Sequence, residues 1–308
     1  MAEQAPHIYG GQAVIEGVMI RGRENFGLAV RRLDGSIEQY QEALSSIYNG
    51  RPRRWPLIRG FLTLLETLIL GIKALQLSAN MAAMDQAPEE SEKGIPGWVM
   101  VSTLGISLVF GIGLFFITPL MIAWALEPVL GSALLSEIVE GVVRLFFLLA
   151  YITLISLLPD VRRVFAYHGA EHMTVHAHEA GLPLNLENVR KFGTPHPRCG
   201  TAFLLTVVVV SVVVFALLLG PPLEWRIASR ILLLPVIAAV SYEVIRFSGT
   251  HPHSWFGNMV AKPGLWLQKL TTRQPDDQQI EVAIRAMETA IAADLGETVP
   301  TLIPAAED

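Results

Sequence analysis

Cysteine and charge are both scarce in this chain. One of its 308 residues is a cysteine, and 17% are charged. A single cysteine excludes an internal disulfide and fits a reducing compartment. The formal net charge of −5 provides no basic surface for a polyanion, so we expect no nucleic-acid partner. Because residues 1–6 are polar in character and no apolar run follows them, we also expect no signal peptide.

Hydrophobic residues, by contrast, make up 52% of the chain, and its mean hydropathy is +0.44. These values are typical of a multi-pass membrane protein. A transmembrane helix needs about 20 apolar residues to cross the bilayer core. Four runs approach or exceed that length, the last only marginally: residues 98–126, 138–158, 201–219 and 231–247. We therefore predict two pairs of transmembrane helices, within residues 98–158 and 201–247.

Residues 59–84 are apolar but carry a polar stripe. Arg59, Glu66, Lys73 and Asn80 recur at every seventh position, which places them on one side of a helix. Such a helix is a poor lone span, because its polar side needs water or protein beside it. We predict that this amphipathic helix lies in the membrane interface or re-enters the membrane without crossing it.

Basic residues set the expected orientation. They are concentrated before the first apolar run, between the second and the third, and after the fourth, whereas the two short connectors hold only Arg226 and Arg230. Cytoplasmic loops of membrane proteins carry an excess of Lys and Arg. Four spans with both termini and the central loop in the cytoplasm satisfy this rule, and a fifth span would break it. We therefore expect a multi-pass protein of the cytoplasmic membrane, surrounded by the lipid bilayer.

Three stretches are soluble in character. Residues 1–58 form an N-terminal cytoplasmic region, in which the segment LDGS at residues 33–36 predicts a β-hairpin. Residues 159–200 form a histidine-rich cytoplasmic loop. Residues 248–308 form a C-terminal cytoplasmic region whose amphipathic helix begins near Asp276. The predicted fold class is a mainly α membrane protein with a small β-containing N-terminal region.

The candidate chemistry is concentrated in residues 167–179, which hold four of the eight histidines. In a helix, His168 and His172 would share one face at positions i and i+4, with Glu171 beside the second histidine. This H-x-x-E-H pattern is typical of inverted zinc-dependent hydrolases, in which the histidines bind the metal and the glutamate acts as base. We interpret His168 and His172 as zinc ligands and Glu171 as the catalytic base, with Glu179 as an alternative base.

Further metal ligands are expected at the same membrane depth. His196 and Cys199 precede the third apolar run, and Glu243 lies about one helical turn from the cytoplasmic end of the fourth. Two histidines and a cysteine or carboxylate would leave the fourth zinc position open, as catalysis requires. The alternatives are a chance motif match, an inert Cys199, and a Glu243 that only pairs with Arg246.

Five blocks spread along the chain carry a resemblance to a known family. They are GGQAVIEGVMIRG at residues 10–22, HGAEH at 168–172, HPRCGTAF at 196–203, SYEVIR at 241–246 and PGLWLQKLTTRQPDD at 263–277. In this order they resemble the YqhQ-like family of bacterial multi-pass membrane proteins, which carry a domain of unknown function and are sometimes described as predicted metal-dependent enzymes. The resemblance implies that the six candidate site residues fall inside the family's motif blocks. Met173 stands where we would expect a lysine from that family.

Two hypotheses for the function follow from the sequence. The first is a metal-dependent hydrolase, with zinc as the expected ion, which acts at the cytoplasmic membrane face on a lipid, a lipid-linked molecule or a membrane peptide. The alternative is a non-enzymatic adaptor or regulator that binds a membrane or cytoplasmic protein through its cytoplasmic regions. A transporter fits less well, because the middles of the four runs hold too few polar residues for an aqueous path.

Overall fold

The N-terminal region folds into a four-stranded antiparallel sheet. The computed structural model describes residues 9–45, 55–86, 96–218, 222–251 and 254–298. The strands β1 (Gly10–Val14), β2 (Gly17–Arg21), β3 (Asn25–Arg31) and β4 (Ile37–Ala43) lie side by side in chain order. The hairpin predicted at residues 33–36 is present between β3 and β4. The glycine-containing block at residues 10–22, to which the sequence assigned no role, forms the hairpin of β1 and β2.

Helices make up most of the remaining chain. They are α1 (Ile58–Gln86), α2 (Gly97–Ile112), α3 (Thr118–Leu130), α4 (Ala133–Ile155), α5 (Pro159–Glu179), α6 (Leu186–Val189), α7 (Thr201–Ala216), α8 (Leu223–Leu232), α9 (Leu234–Thr250), α10 (Trp255–Thr271) and α11 (Asp277–Asp294). A π-helical turn, Gly113–Ile117, joins α2 to α3 without a break. The predicted C-terminal amphipathic helix is α11, whose first turn is closed by a capping box between Asp276 and Gln279.

The two faces of the sheet bury different helices. Val18 and Ile20 pack with α5 and α11, whereas Met19, between them in the strand, packs against α1. Successive side chains of a strand point to opposite faces, which produces this division. The close contact between β3 and α11 occurs at Gly27, where an added Cβ atom would lie 2.5 Å from the backbone nitrogen of Ala290. A larger residue at that position would force the helix away from the sheet.

The polar stripe of α1 is the side of the helix that contacts the sheet and α9. Its charged members form ion pairs with three other elements: Arg59 with Glu243 of α9, Glu66 with Arg21 of β2, and Lys73 with Glu42 of β4. On the same helix, Leu70, Ala74 and Met81 pack in the apolar core beneath the sheet. The seven-residue spacing in the sequence therefore marks the contact side of α1, and the opposite side of the helix is apolar and exposed.

Several helices are long and apolar enough to cross a membrane. By length and composition these are α1, the continuous helix from α2 to α3, and α4; α8 and α9 together would make a fourth, bent by 51°. The run predicted at residues 231–247 therefore lies in two helices and not in one. Pro235, in the first turn of α9, lacks the N–H that a continuous helix would use, and the helix breaks there. These apolar helices suggest a membrane environment with lipid contact.

A buried network of charges connects α8 to the long helices. Nη2 of Arg230 lies 2.8 Å from Glu137 and 2.6 Å from Glu140, both on α4. Arg144 also pairs with Glu140, and its Nε donates to the carbonyl of Phe115 at 2.9 Å, inside the π-helical turn. Two acids and two bases thus neutralise one another, which charges in an apolar interior require.

Asp294, the last residue of α11, binds the turn between β2 and β3. Its carboxylate accepts hydrogen bonds from the backbone amides of Arg23 at 2.6 Å, Glu24 at 3.1 Å and Asn25 at 3.2 Å, and from the hydroxyl of Tyr9 at 3.1 Å. Burial acts to raise the pKa of Asp294, but these hydrogen bonds stabilise the charged form and hold its pKa below the usual range. The charged carboxylate therefore fastens α11 to the turn between β2 and β3.

We expect Asp294→Asn to lower the free energy of unfolding by about 2 kcal/mol at neutral pH, because bonds to a charged acceptor are lost. A carboxyl with a lowered pKa stabilises the fold above its unfolded pKa, and this stabilisation is lost as the pH falls through the folded pKa. The difference between variant and wild type should therefore shrink below about pH 4. Unfolding of the detergent-solubilised protein across this pH range measures it. Glu288→Gln, an exposed change on α11, is the control; equal stability of Asp294→Asn and wild type at pH 7 would contradict the assignment.

Candidate metal centre

α5 presents three histidines along one face. His168, His172 and His176 follow one another at intervals of four residues, which aligns them on the helix surface. Met173 and Ala177, on the opposite side of α5, are buried in the core shared with the sheet and α11. This packing fixes the rotation of the helix, so the histidine row faces the segment before α7 and the end of α10.

Each imidazole of this row lies against a backbone carbonyl. Nδ1 of His168 is 2.9 Å from the oxygen of Thr271, Nδ1 of His172 is 2.5 Å from that of Thr194, and Nε2 of His176 is 2.9 Å from that of Pro195. A carbonyl can only accept a hydrogen bond, so the nitrogen facing it must carry the proton. The free lone pair is therefore on Nε2 in His168 and His172 and on Nδ1 in His176. Metal-binding histidines are commonly oriented in this way.

The first group of potential ligands consists of His168, His172 and Cys199. Their ligand atoms lie within 4.8 Å of one another. Sγ of Cys199 is 3.3 Å from Nε2 of His168, the nitrogen that the carbonyl bond leaves free. Cys199 is 9% exposed and stands directly before α7, so the thiol reaches the row from the chain segment opposite α5. Two imidazole nitrogens and one thiolate form a donor set that suits zinc.

The second group consists of His176, Glu179 and His196, again with ligand atoms within 4.8 Å of one another. Nε2 of His196 lies 3.4 Å from Oε2 of Glu179, whose carboxylate also pairs with Arg198. Burial, together with the charge of His176, lowers the pKa of His196 to about 4, so this ring is neutral at pH 7. The ring centroids of His172 and His196 are 5.6 Å apart, which makes the two groups neighbours.

Gln268 of α10 fixes the segment that carries His196 and Cys199. Its Oε1 accepts from the backbone N–H of His196 at 2.7 Å, and its Nε2 donates to the carbonyl of the same residue at 2.9 Å. The side chain of Gln268 is 1% exposed, so these bonds are made in a dry environment, where unmade ones would be costly. Gln268 therefore satisfies both backbone polar groups of His196 and fixes the position of this residue.

Glu171 is buried beside the first group. Its Oε2 lies 3.9 Å from Nε2 of His172, and its Oε1 accepts a hydrogen bond from the backbone N–H of Gly11 at 3.1 Å. Burial raises the pKa of the Glu171 carboxyl, while the charge of His168 and the bond from Gly11 act in the opposite direction. A carboxyl with a raised pKa next to potential metal ligands has the properties of a proton-transfer group.

A cavity of about 540 Å³ opens onto the first group. β1, from Gly10 to Ala13, forms one wall, and Leu70 of α1 and Phe165 of α5 contribute apolar surface. The polar part of the lining consists mainly of the site side chains together with Arg21 and Arg198. The cavity therefore lies between the N-terminal sheet, α1 and the histidine row of α5.

The structure brings together most of the residues selected from the sequence. His168, His172 and Cys199 form one group, Glu171 lies beside it, and His196 belongs to the neighbouring group. Glu243 joins neither group among the described residues; its carboxylate pairs with Arg59, at 2.8 Å from Nε to Oε1. That partner also differs from Arg246, the alternative considered from the sequence.

Four residues have roles at the site that were not assigned from the sequence. His176 and Glu179 were not recognised as a group with His196, although their i, i+3 spacing on α5 was visible. The roles of Gly11 and Gln268 left no local signal, because both depend on contacts with residues distant in the chain. His178, which belongs to neither group, is half-buried with its ring 5.0 Å from that of Tyr9.

The comparisons with known proteins identify the family without assigning a function. A family described as "Protein of unknown function (DUF1385)" matches residues 55–293. The "Uncharacterized protein YqhQ" of Bacillus subtilis (strain 168) is 33% identical over 294 residues, which cover 92% of each chain. No solved structure matches this chain. By the extent of both matches, the chain belongs to the DUF1385 family.

Proposed function

We propose that this protein is a zinc-dependent hydrolase that acts at the cytoplasmic face of the membrane. The observation that carries the proposal is the oriented group of His168, His172 and Cys199 at the cavity. Carbonyls hold Nδ1 of both histidines, which leaves Nε2 of each as the free nitrogen, and Cys199 approaches Nε2 of His168 at 3.3 Å. Three protein donors leave a fourth zinc position for a substrate or water.

The neighbouring side chains fit hydrolysis. A bound zinc ion would supply Lewis acidity at the end of the cavity. Glu171, adjacent to the ligands, would accept a proton from the attacking water and return it to the leaving group. The Gly11 amide keeps one carboxylate oxygen occupied, so Oε2 is the oxygen available for this transfer. In this proposal, the residues that bind the metal ion are therefore different from Glu171, which transfers the proton.

The ion pairs of α1 support its placement in the membrane interface. Glu66 and Lys73 pair with strands β2 and β4, so a fully inserted α1 would draw the sheet toward the hydrocarbon region. Open sheets do not enter lipid, because their edges cannot be satisfied there. We therefore propose four spans, formed by α2–α3, α4, α7 and the bent pair α8–α9, with both termini and the metal site in the cytoplasm.

The location of the cavity supports a substrate with an apolar part. Leu70 and Phe165 line it, and α1 exposes Leu65, Leu68 and Ile69 on the side away from the sheet. A molecule in the cytoplasmic leaflet could therefore present its polar end to the site without leaving the membrane. A lipid, a lipid-linked molecule or a membrane peptide has these properties.

An adaptor function is the second candidate, and α2 is the observation that favours it. Within this helix, Gly97–Ile112, no residue is buried, and Trp98 and Ile106 are both more than two-thirds exposed. A helix with no buried residue can offer its surface to a membrane partner. A crosslinked partner that is retained after His168 and His172 are removed, in a protein without measurable turnover, would favour this candidate.

For the hydrolase, we expect His168→Ala/His172→Ala to bind one zinc ion fewer per chain than wild type and Glu171→Gln to bind as much zinc as wild type. Glu171→Gln should reduce turnover by about 10²- to 10⁴-fold, the usual contribution of a general base. Metal analysis of the purified protein and mass spectrometry of host membrane extracts incubated with each variant measure the two effects. His178→Ala, on the same helix but outside both groups, is the control. Full turnover by Glu171→Gln, or the same trace metal content in all variants, would refute the proposal.

For the membrane arrangement, we expect an impermeant maleimide to distinguish two sets of positions in intact cells. In a Cys199→Ser background, Val129→Cys, in the last turn of α3, should be labelled, because it would lie outside. Leu33→Cys and Glu187→Cys should be labelled only after the membrane is permeabilised. All three positions are exposed on the protein, so accessibility is decided by the membrane. Labelling of Leu33→Cys in intact cells would contradict the four-span arrangement.

A further inference from the structure

We propose that His176, Glu179 and His196 form a second divalent-cation site, so that two cations can lie side by side along α5. The site uses none of the three ligands of the proposed zinc site. A catalytic role for the second site rests on the proposed hydrolase function. The binding of a second cation can be tested independently of that function.

The three side chains converge from two chain segments. His176 and Glu179 share a face of α5 at i and i+3, and His196 comes from the segment before α7. The rings of His176 and His196 are 4.4 Å apart between centroids, and Oε2 of Glu179 is 3.4 Å from Nε2 of His196. Two imidazoles and one carboxylate form a donor set that binds Zn²⁺, Mn²⁺ or Fe²⁺ and leaves coordination positions open.

The ring of His176 is held in the way that ligand histidines usually are. Its Nε2–H donates to the carbonyl of Pro195 at 2.9 Å, and the ring stacks on Phe192 with an interplanar angle of 11°. Nδ1 is therefore left as the potential ligand atom. A histidine that only filled a surface position would need neither restraint. His196 is also fixed, because Gln268 binds both polar groups of its backbone.

The two groups are close enough to act on one substrate. His172 of the first group and His196 of the second have ring centroids 5.6 Å apart. The first group offers a thiolate and the second a carboxylate, so the second site should tolerate harder cations than the first. Paired cations can hold the attacking and the leaving oxygen of a hydrolysed bond at the same time.

A cation in the second site would replace two contacts that Arg198 makes with Glu179 and His196. Glu179 pairs with Arg198, and Nδ1 of His196 accepts from the backbone N–H of Arg198 at 3.3 Å. A cation on Nε2 of His196 would require Nδ1 to carry the proton, so the bond from Arg198 would be lost. The second cation should therefore bind more weakly than the first. Arg198→Gln removes the competing charge and should tighten its binding by up to about fivefold, the scale of a partly exposed ion pair.

Zinc stoichiometry of the full-length protein in detergent tests the proposal. Chelator-stripped protein is titrated with Zn²⁺, and bound zinc is counted by mass spectrometry after removal of the free ion. We expect two zinc ions per chain in wild type and in the control His178→Ala. The double variants His176→Ala/Glu179→Gln and His168→Ala/His172→Ala should each keep one. Equal unfolding temperatures of the stripped proteins confirm that each variant is folded.

The outcomes separate this proposal from the proposed zinc site. A single zinc in wild type that is lost only with His168→Ala/His172→Ala would overturn the second site and leave the first. Two zinc ions retained by His176→Ala/Glu179→Gln would also overturn it. A single zinc lost only with His176→Ala/Glu179→Gln would support the His176 site and refute the first. No bound zinc in wild type would refute both.

Discussion

Hydrogen bonds from imidazole N–H groups to backbone carbonyls determine which nitrogen of each histidine on α5 is free to bind a metal ion. A free imidazole can carry its proton on either nitrogen, and a ligand site needs the lone pair on the right one. The carbonyls of Thr194 and Thr271 make that choice for His172 and His168. Because these acceptors belong to the segment before α7 and to α10, the site depends on the packing of three chain segments and not on α5 alone.

Ion pairs connect the N-terminal sheet to the apolar helices and the apolar helices to one another. Arg59 and Glu243 join the start of α1 to α9, and Glu66 with Arg21 joins the same helix to the sheet. Farther along the apolar helices, Arg230 holds α8 against α4. In each case a charge that would be unfavourable in an apolar setting has its partner on another element. The charges scattered through an apolar sequence thus specify which elements are neighbours.

The sequence predicted those features whose signal is local. The i, i+4 spacing selected His168 and His172, and the seven-residue stripe marked the contact side of α1. Features that depend on distant contacts were not predicted: Glu243 lies about two turns before the end of α9, and its partner is Arg59, 184 positions away. The sheet was recognised only at the turn of residues 33–36, because glycines interrupt the alternating pattern of residues 10–22. Pro235 could have indicated the break between α8 and α9, but the apolar run continues across it.

The hydrogen bond from the Gly11 amide to Glu171 joins a residue outside the region that the family model matches to a residue inside it. That region begins at residue 55, and Gly11 lies well before it in the chain. The donor is a backbone group, so its contribution depends on the presence of the strand. The position also requires glycine, because an added Cβ atom at residue 11 would lie 2.3 Å from the carbonyl oxygen of Met19 and 3.1 Å from Cγ of Glu171. A chain shortened to residues 55–293 would lose one wall of the cavity and uncover the sheet-facing sides of α1 and α11. The smallest unit that retains the environment of Glu171 is therefore longer than the region by which the family is recognised.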